Sequence, residues 1–142
     1  MKIQSVKIDD ISQDPANVRK HSERNLSAIV ASLRKFGQQK PIVVNADGII
    51  LAGNGTYEAA KRLGWEKIDV VRSALKGSDA TGFAIADNRT AELADWDDTA
   101  LAETLRALQS EDFDVEAAGF TDTEVDELLT RLGNEALIPD HE

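Results

Sequence analysis

Apolar residues recur along the first eleven positions as Ile3, Val6, Ile8 and Ile11 against polar neighbours. This is the alternation of a half-buried strand, with a bend expected at Asp9-Asp10. From Ser22 the period changes: Leu26, Ile29, Val30, Leu33 and Phe36 fall three or four apart and Gly37 follows, which predicts an amphipathic helix of roughly fourteen residues. Between the two, residues 13–21 have no period and contain Pro15 and Asn17, so they form a loop ending in Arg19, Lys20 and His21, for which solvated surface is the default reading. Lys40–Val44 and Ile49–Ala52 flank the tight turn Asn45-Ala46-Asp47-Gly48 and predict a hairpin. The return strand runs into Gly53-Asn54-Gly55, then a helix from about Thr56 to Leu63, then a strand over Trp65–Val71 in which Trp65 is expected to pack near the turn. A helix opening at Ser78 places Ala80, Phe83, Ala84, Asp87 and Ala91 on one stripe. Beyond Trp96, Asp97-Asp98-Thr99 caps a helix bearing Leu101, Leu105 and Leu108. Thr121 and Glu124 then form a capping box, with Phe120 and Val125 as its hydrophobic staple. That last helix is expected to end at Gly133, leaving residues 134–142 loose.

The 142 residues are enough for a core without disulfides, and the chain has no cysteine, which excludes thiol catalysis and cysteine-ligated metal centres. Apolar runs such as Ile49–Ala52 are far too short to span a membrane and no signal-peptide pattern precedes the first strand, so a soluble cytoplasmic protein is expected. A formal net charge of -10 speaks against a free-standing DNA binder, because Lys and Arg supply most of the affinity for phosphate. The charge is unevenly placed. Residues 1–90 carry 14 basic against 10 acidic side chains, whereas residues 91–142 carry 2 against 16.

Two stretches carry candidate chemistry. Gly53-Asn54-Gly55 ends a strand and opens a helix, so backbone can approach a ligand closely while the unpaired N–H groups and positive dipole end of the helix face it; this geometry binds anions. Asn-Gly after an apolar run is also a hairpin signal, and many such junctions bind nothing; the shared face of Tyr57, Ala60, Lys61 and Gly64 favours the turn into a helix. Asp87-Asn88-Arg89 sets a metal-capable oxygen, an amide and a phosphate-capable guanidinium side by side. Asp87 reads equally well as one half of a buried structural ion pair, since a carboxylate on an apolar face needs a partner.

Taken in order, Asp14-Pro15 through Asn17-Val18-Arg19, Ser32-Leu33 with Phe36-Gly37-Gln38-Gln39-Lys40-Pro41-Ile42-Val43, Ala52-Gly53 to Ala59, and Asp87-Asn88-Arg89 resemble the N-terminal domain of the ParB family, the ParB/sulfiredoxin fold. The likeness is nearest to the ParB-like nuclease domains of phages and mobile elements, some of them fused ahead of a DNA methyltransferase. It implies an α+β fold, a small mixed sheet with packed helices over residues 1–95, followed by an acidic helical extension over 96–133 and a flexible tail over 134–142. It further implies a nucleoside triphosphate with Mg2+. Gly53, Asn54, Gly55 and Thr56 would then cradle phosphate with Arg19, Asn88 and Arg89 nearby, Asp87 and Asn88 would hold the metal, and Asp87 would be the catalytic residue of any hydrolysis. In the chromosome-segregation members the turn reads Gly-Glu-Arg-Arg-aromatic-Arg-Ala; here Gly53-Asn54-Gly55-Thr56-Tyr57-Glu58-Ala59 has none of those arginines, which leaves backbone N–H groups, Thr56, Lys61 or Arg62, and the more remote Arg19 or Arg89 as the sources of affinity. Sulfiredoxin chemistry is excluded by the missing cysteine, and the helix-turn-helix region of partition proteins is expected to be absent.

Three functions follow from this reading. The first is a nucleotide-binding module acting in DNA metabolism of a phage, mobile element or DNA-modification system, with weak NTPase activity. The second is a non-enzymatic adaptor with a decayed pocket, whose acidic helices dock on a methyltransferase or nuclease, so that DNA is reached through the partner. The third is a Mg2+-dependent DNase with Glu58 as second carboxylate beside Asp87.

Overall fold

In a computed structural model, residues 1–17 and 19–137 are described and fall into two compact units, Met1–Ala94 and Asp95–Glu142. The first is an α+β unit. Its elements are β1 (Gln4–Lys7), a 3-10 turn (Ile8–Asp10), β2 (Ser12–Gln13), α1 (Glu23–Phe36), β3 (Ile42–Val44), β4 (Ile49–Ala52), α2 (Asn54–Arg62), β5 (Lys67–Arg72) and α3 (Gly77–Leu93). The sheet order is β1-β5-β3-β4-β2, with β1/β5 and β3/β4 antiparallel and β3/β5 and β2/β4 parallel.

The alternation at the N-terminus, expected as one bent strand, resolves into two strands on opposite edges of the sheet. A flat five-stranded sheet would set those edges about 19 Å apart, whereas a 3-10 turn advances only about 2 Å per residue. The sheet therefore curls, and Ile8 and Ile11 sit inside the curl at 6% and 4% exposure. Ile3, before β1, is 58% exposed and does not join the core. The core itself is built from Ile42, Val44, Ile50, Ile68 and Val70 of the central strands with Leu33, Tyr57, Ala59 and Ala60 of α1 and α2, and Trp65 packs against it.

Helix α1 has the ends its sequence predicts. The Ser22 hydroxyl accepts from the Asn25 N–H at 3.0 Å, and Gly37 closes the helix at φ 71°. It packs on α2, and the first turn of one meets the last turn of the other through a two-pronged pair, Arg62 Nη1 and Nη2 to the Glu23 carboxylate at 2.9 and 2.8 Å. The hydrogen bond from Arg62, and then its charge, hold the Glu23 carboxyl below its ordinary value of 4.5; Glu23 in turn raises Arg62. A carboxyl with a depressed folded value stabilises above its unfolded value and loses that contribution as pH falls. The stability advantage of the native chain over Glu23→Gln should thus be small, as for any exposed pair, and should vanish between about pH 5 and pH 3 in denaturant titrations.

Helix α2 begins at Asn54, two residues before its expected start, because Gly53 itself takes a left-handed conformation (φ 110°, ψ 22°) and turns the chain at once. Helix α3 packs on β4, with Ala80 buried and Phe83, Ala84 and Asn88 half-buried, whereas Asp87, Ala91 and Leu93 are exposed. The buried ion pair considered for Asp87 is therefore not what the structure contains.

The second unit comprises α4 (Asp98–Ser110), a 3-10 turn (Val115–Ala118) and α5 (Asp122–Leu137) around Leu105, Val115 and Val125. The capping box forms as expected: Glu124 N–H donates to Thr121 Oγ1 at 3.1 Å and Thr121 N–H to Glu124 Oε1 at 2.9 Å. Gly133 does not end α5. It is not among the glycines with positive φ, and a glycine stops a helix through that conformation, so the helix continues to Leu137. The loose tail expected from Asn134 is accordingly helical at its start, and residues 138–142 lie outside the described residues. No helix among the described residues is long and apolar enough to cross a membrane.

Candidate functional site

A cavity of about 190 Å³ opens at the start of α2. Its wall brings together Gly53, Asn54, Gly55 and Thr56 with Arg19, Asp87 and Asn88, all chosen from the sequence, and with His21, which was assigned to solvated surface. Each side chain is held there by local chemistry. Asn17 brackets the backbone of Arg19, accepting from its N–H at 3.1 Å and donating to its carbonyl at 3.2 Å, while Asp14 accepts from the Ala16 N–H at 2.9 Å and shapes the loop before it. The Arg19 guanidinium reaches α3 and pairs with Glu92 at 2.7 Å. The His21 ring is held in place by a contact between its Nδ1 and the Asn25 side-chain oxygen.

The glycines explain how close these parts come. A Cβ on Gly53 would lie 2.3 Å from Ile42 Cγ2, and one on Gly55 2.7 Å from His21 Cε1 and 2.8 Å from Ile29 Cδ1. The imidazole thus rests on bare backbone at the second residue of α2. A glycine inside a helix, where alanine is favoured by about 1 kcal/mol, is the one signal in the sequence that points to such an approach.

The electrostatics favour an anion at this end. The first intrahelical bond runs from the Tyr57 N–H to the Gly53 carbonyl, so the N–H groups of Asn54, Gly55 and Thr56 precede the ladder. No side chain caps them and no acidic residue stands in the first turn, in contrast to α1 and α4, which Ser22 and Asp97 cap. Among the described lining residues Arg19 is the one permanent cation and Asp87 the one carboxylate.

Next to this cavity lies a second, of about 260 Å³, between β4, α3 and the loop at Asp14–Asn17; the two share Leu51, Asn54 and Asn88. At their junction the side-chain oxygen of Asn54 is buried and accepts no hydrogen bond. Leaving such an acceptor unmet costs about 1–3 kcal/mol, so the site calls for a donor from solvent or ligand. Asn88 donates its Nδ2 to the Ala84 carbonyl at 3.1 Å, which leaves its Oδ1 as an acceptor.

Other candidates lie elsewhere. Arg89 is not on the cavity wall; it is exposed and shares Glu92 with Arg19 at 3.5 Å. Lys61 stands over the Tyr57 ring at 5.1 Å, Arg62 is engaged with Glu23, and Glu58 accepts from Gln13 Nε2 at 3.1 Å. Glu58 is therefore directed at β2 and does not form the second carboxylate considered for it. Among the described residues no group of three His, Cys, Asp or Glu stands close enough to hold a metal ion.

Comparison with known proteins accounts for both units. The family model of the ParB N-terminal domain matches residues 1–89, and that of the ParB-methyltransferase HTH domain matches residues 99–142. The ParB-like nuclease domain-containing protein YnaK of Escherichia coli K12 is 30% identical over 64 residues, which are 45% of this chain and 74% of YnaK. The C-terminally truncated chromosome-partitioning protein ParB of Caulobacter crescentus, complexed with CTP-gamma-S, superposes with a TM-score of 0.80 at 20% identity over 99% of this chain and 81% of that one. The same protein complexed to the centromeric parS site gives 0.53 at 20% identity, over 96% and 73%. These likenesses establish the α+β ParB fold, and the family models support a DNA-related role. The second model also corrects an expectation: α4, the 3-10 turn and α5 occupy a segment that matches a helix-turn-helix domain. Charge concealed it, since a recognition helix is ordinarily sought by its basic residues.

Proposed function

We infer function from one premise, that the chain belongs to the family of ParB N-terminal domains. The cavity at the start of α2 is a nucleotide site, and the module acts in DNA metabolism beside a DNA-modifying partner. Phosphate oxygens accept from the N–H groups of Asn54, Gly55 and Thr56, while the nucleoside end runs past Asn54, whose buried oxygen takes a ligand N–H or O–H. The observation that carries this reading is the start of α2 itself: three N–H groups ahead of the helical ladder, no side-chain cap, no acidic residue in the first turn, and an orphaned acceptor at the neck between two cavities. The Caulobacter relative is complexed with CTP-gamma-S, which makes CTP the first ligand to try.

Magnesium, when bound, supplies neutralising charge for the phosphates. One carboxylate is enough for an ion that arrives on a nucleotide, and Asp87 with the free oxygen of Asn88 would hold it or its waters. Arg19 gives the remaining charge in competition with Glu92, so affinity is modest beside a site built of several guanidinium groups. Replacement of the exposed Asp87 by Ala should leave the fold intact and remove the magnesium-dependent part of CTP binding in calorimetric titrations. Binding that keeps its magnesium dependence would take Asp87 out of the site. The adaptor reading is favoured by the one permanent cation in the lining and by the acidity of the second unit, and it predicts no nucleotide binding at all.

A further inference from the structure

The helix-turn-helix-matching unit has the wrong charge for its usual ligand. Residues 95–142 carry 15 acidic and 2 basic side chains, and one of the two, Arg131, is engaged with Asp98 at 2.9 Å. Phosphate binding by such a segment would run against its own field. What the unit does present is a groove of about 440 Å³ between α4 and α5. Trp96, Leu101, Phe120 and Leu128 form its apolar floor; Glu127 stands at its rim with Glu124, which also caps α5, and with Asp98 and Arg131, which pair with each other. Trp96 is 68% exposed although its ring packs edge-on to Phe120, with centroids 6.0 Å apart at 62°. A tryptophan held in place yet open to water is the residue type that most often anchors a protein interface.

We propose that this groove docks a basic segment of a partner protein, one in which a large apolar side chain stands among lysines and arginines. The apolar residue covers Trp96 and Leu128, and its basic neighbours meet the acidic rim. Charge complementarity selects this occupant over a nucleic acid, and the acidic surroundings steer its approach. The proposal is independent of the nucleotide site, which lies in the other unit.

The test uses the full chain and a fluorescent peptide of about twelve residues with two leucines among lysines, followed by anisotropy. Binding should weaken at least about tenfold when serines replace the leucines, and again between about 50 and 300 mM salt. Trp96→Ser and Glu127→Lys should each weaken it about tenfold or more, while both variants melt like the native chain, since the two side chains are exposed. Equal binding of the serine peptide, or indifference to both substitutions, would overturn the proposal. So would displacement of the peptide by duplex DNA, or a dimer of the native chain that Trp96→Ser dissolves, which would make a nucleic acid or a second copy the occupant.

Discussion

Gly53→Ala should destabilise the first unit more than any other single methyl addition. Gly53 combines two requirements that alanine cannot meet. Its left-handed backbone costs a side-chain-bearing residue about 1–2 kcal/mol. The new Cβ would also lie 2.3 Å from Cγ2 and 2.7 Å from Cβ of Ile42, a residue only 2% exposed in the middle of the sheet. Overpacking of that kind adds about 1–3 kcal/mol, and Ile42 has nowhere to turn. A combined loss of roughly 2–5 kcal/mol is a large part of a small unit's stability and corresponds to a fall in melting temperature of about 10 °C or more. Gly55→Ala is the informative contrast. Its φ is not left-handed, its close contacts are the mobile ends of His21 and Ile29, and alanine gains helix propensity of about 1 kcal/mol. It should melt within about 5 °C of the native chain while displacing His21 from the cavity wall. Thermal melts followed by circular dichroism distinguish the two. A Gly53→Ala chain as stable as Gly55→Ala would mean that the strand-to-helix turn is not built as described.

The second large effect concerns Arg19. As the one permanent cation on the wall, it is the side chain whose removal costs a bound phosphate most, about 1.5–3 kcal/mol for hydrogen bonds to a charged group, or roughly 10- to 100-fold in affinity. Glu92 now holds that guanidinium at 2.7 Å, so Glu92→Gln should act in the opposite direction and tighten the same ligand severalfold. Titration calorimetry of Arg19→Ala, Glu92→Gln and the native chain with CTP and magnesium measures both. Equal affinities in all three would show that Arg19 faces the cavity without serving it.

What was legible in the sequence is what short-range chemistry decides. Ser22 and Gly37 fix the ends of α1, Thr121 and Glu124 fix the start of α5, and Asn45, whose side chain accepts from the N–H groups of Asp47 and Ile49 at 2.9 Å, fixes the hairpin turn. The glycine turn and Arg19, Asp87 and Asn88 also share one cavity, as their order along a ParB-like chain suggested. What remained hidden depends on contacts between distant residues. Nothing near Asp9 says that β1 and β2 lie on opposite edges, because their partners, β5 and β4, come far later in the chain, Lys67 opposite Lys7 and Ile49 beside Ser12. His21 reads as surface until α2 supplies the bare backbone of Gly55 beneath it. Glu58 and Lys61 read as site residues until Gln13 and Tyr57 are seen to engage them. The helix-turn-helix match stayed out of view for another reason: the pattern sought was a basic helix, and this one is acidic.

The central claim is that the start of α2 holds a nucleotide. Its most direct test is the thermal stability of the native chain in CTP, ATP, GTP, UTP and buffer, each with and without magnesium. A ligand at 100 times its dissociation constant adds about 2.7 kcal/mol to stability. CTP with magnesium should raise the melting temperature of the first unit by several degrees, less without the metal, and the rise should shrink in Arg19→Ala. An unchanged melting temperature in every nucleotide at millimolar concentration would contradict the account.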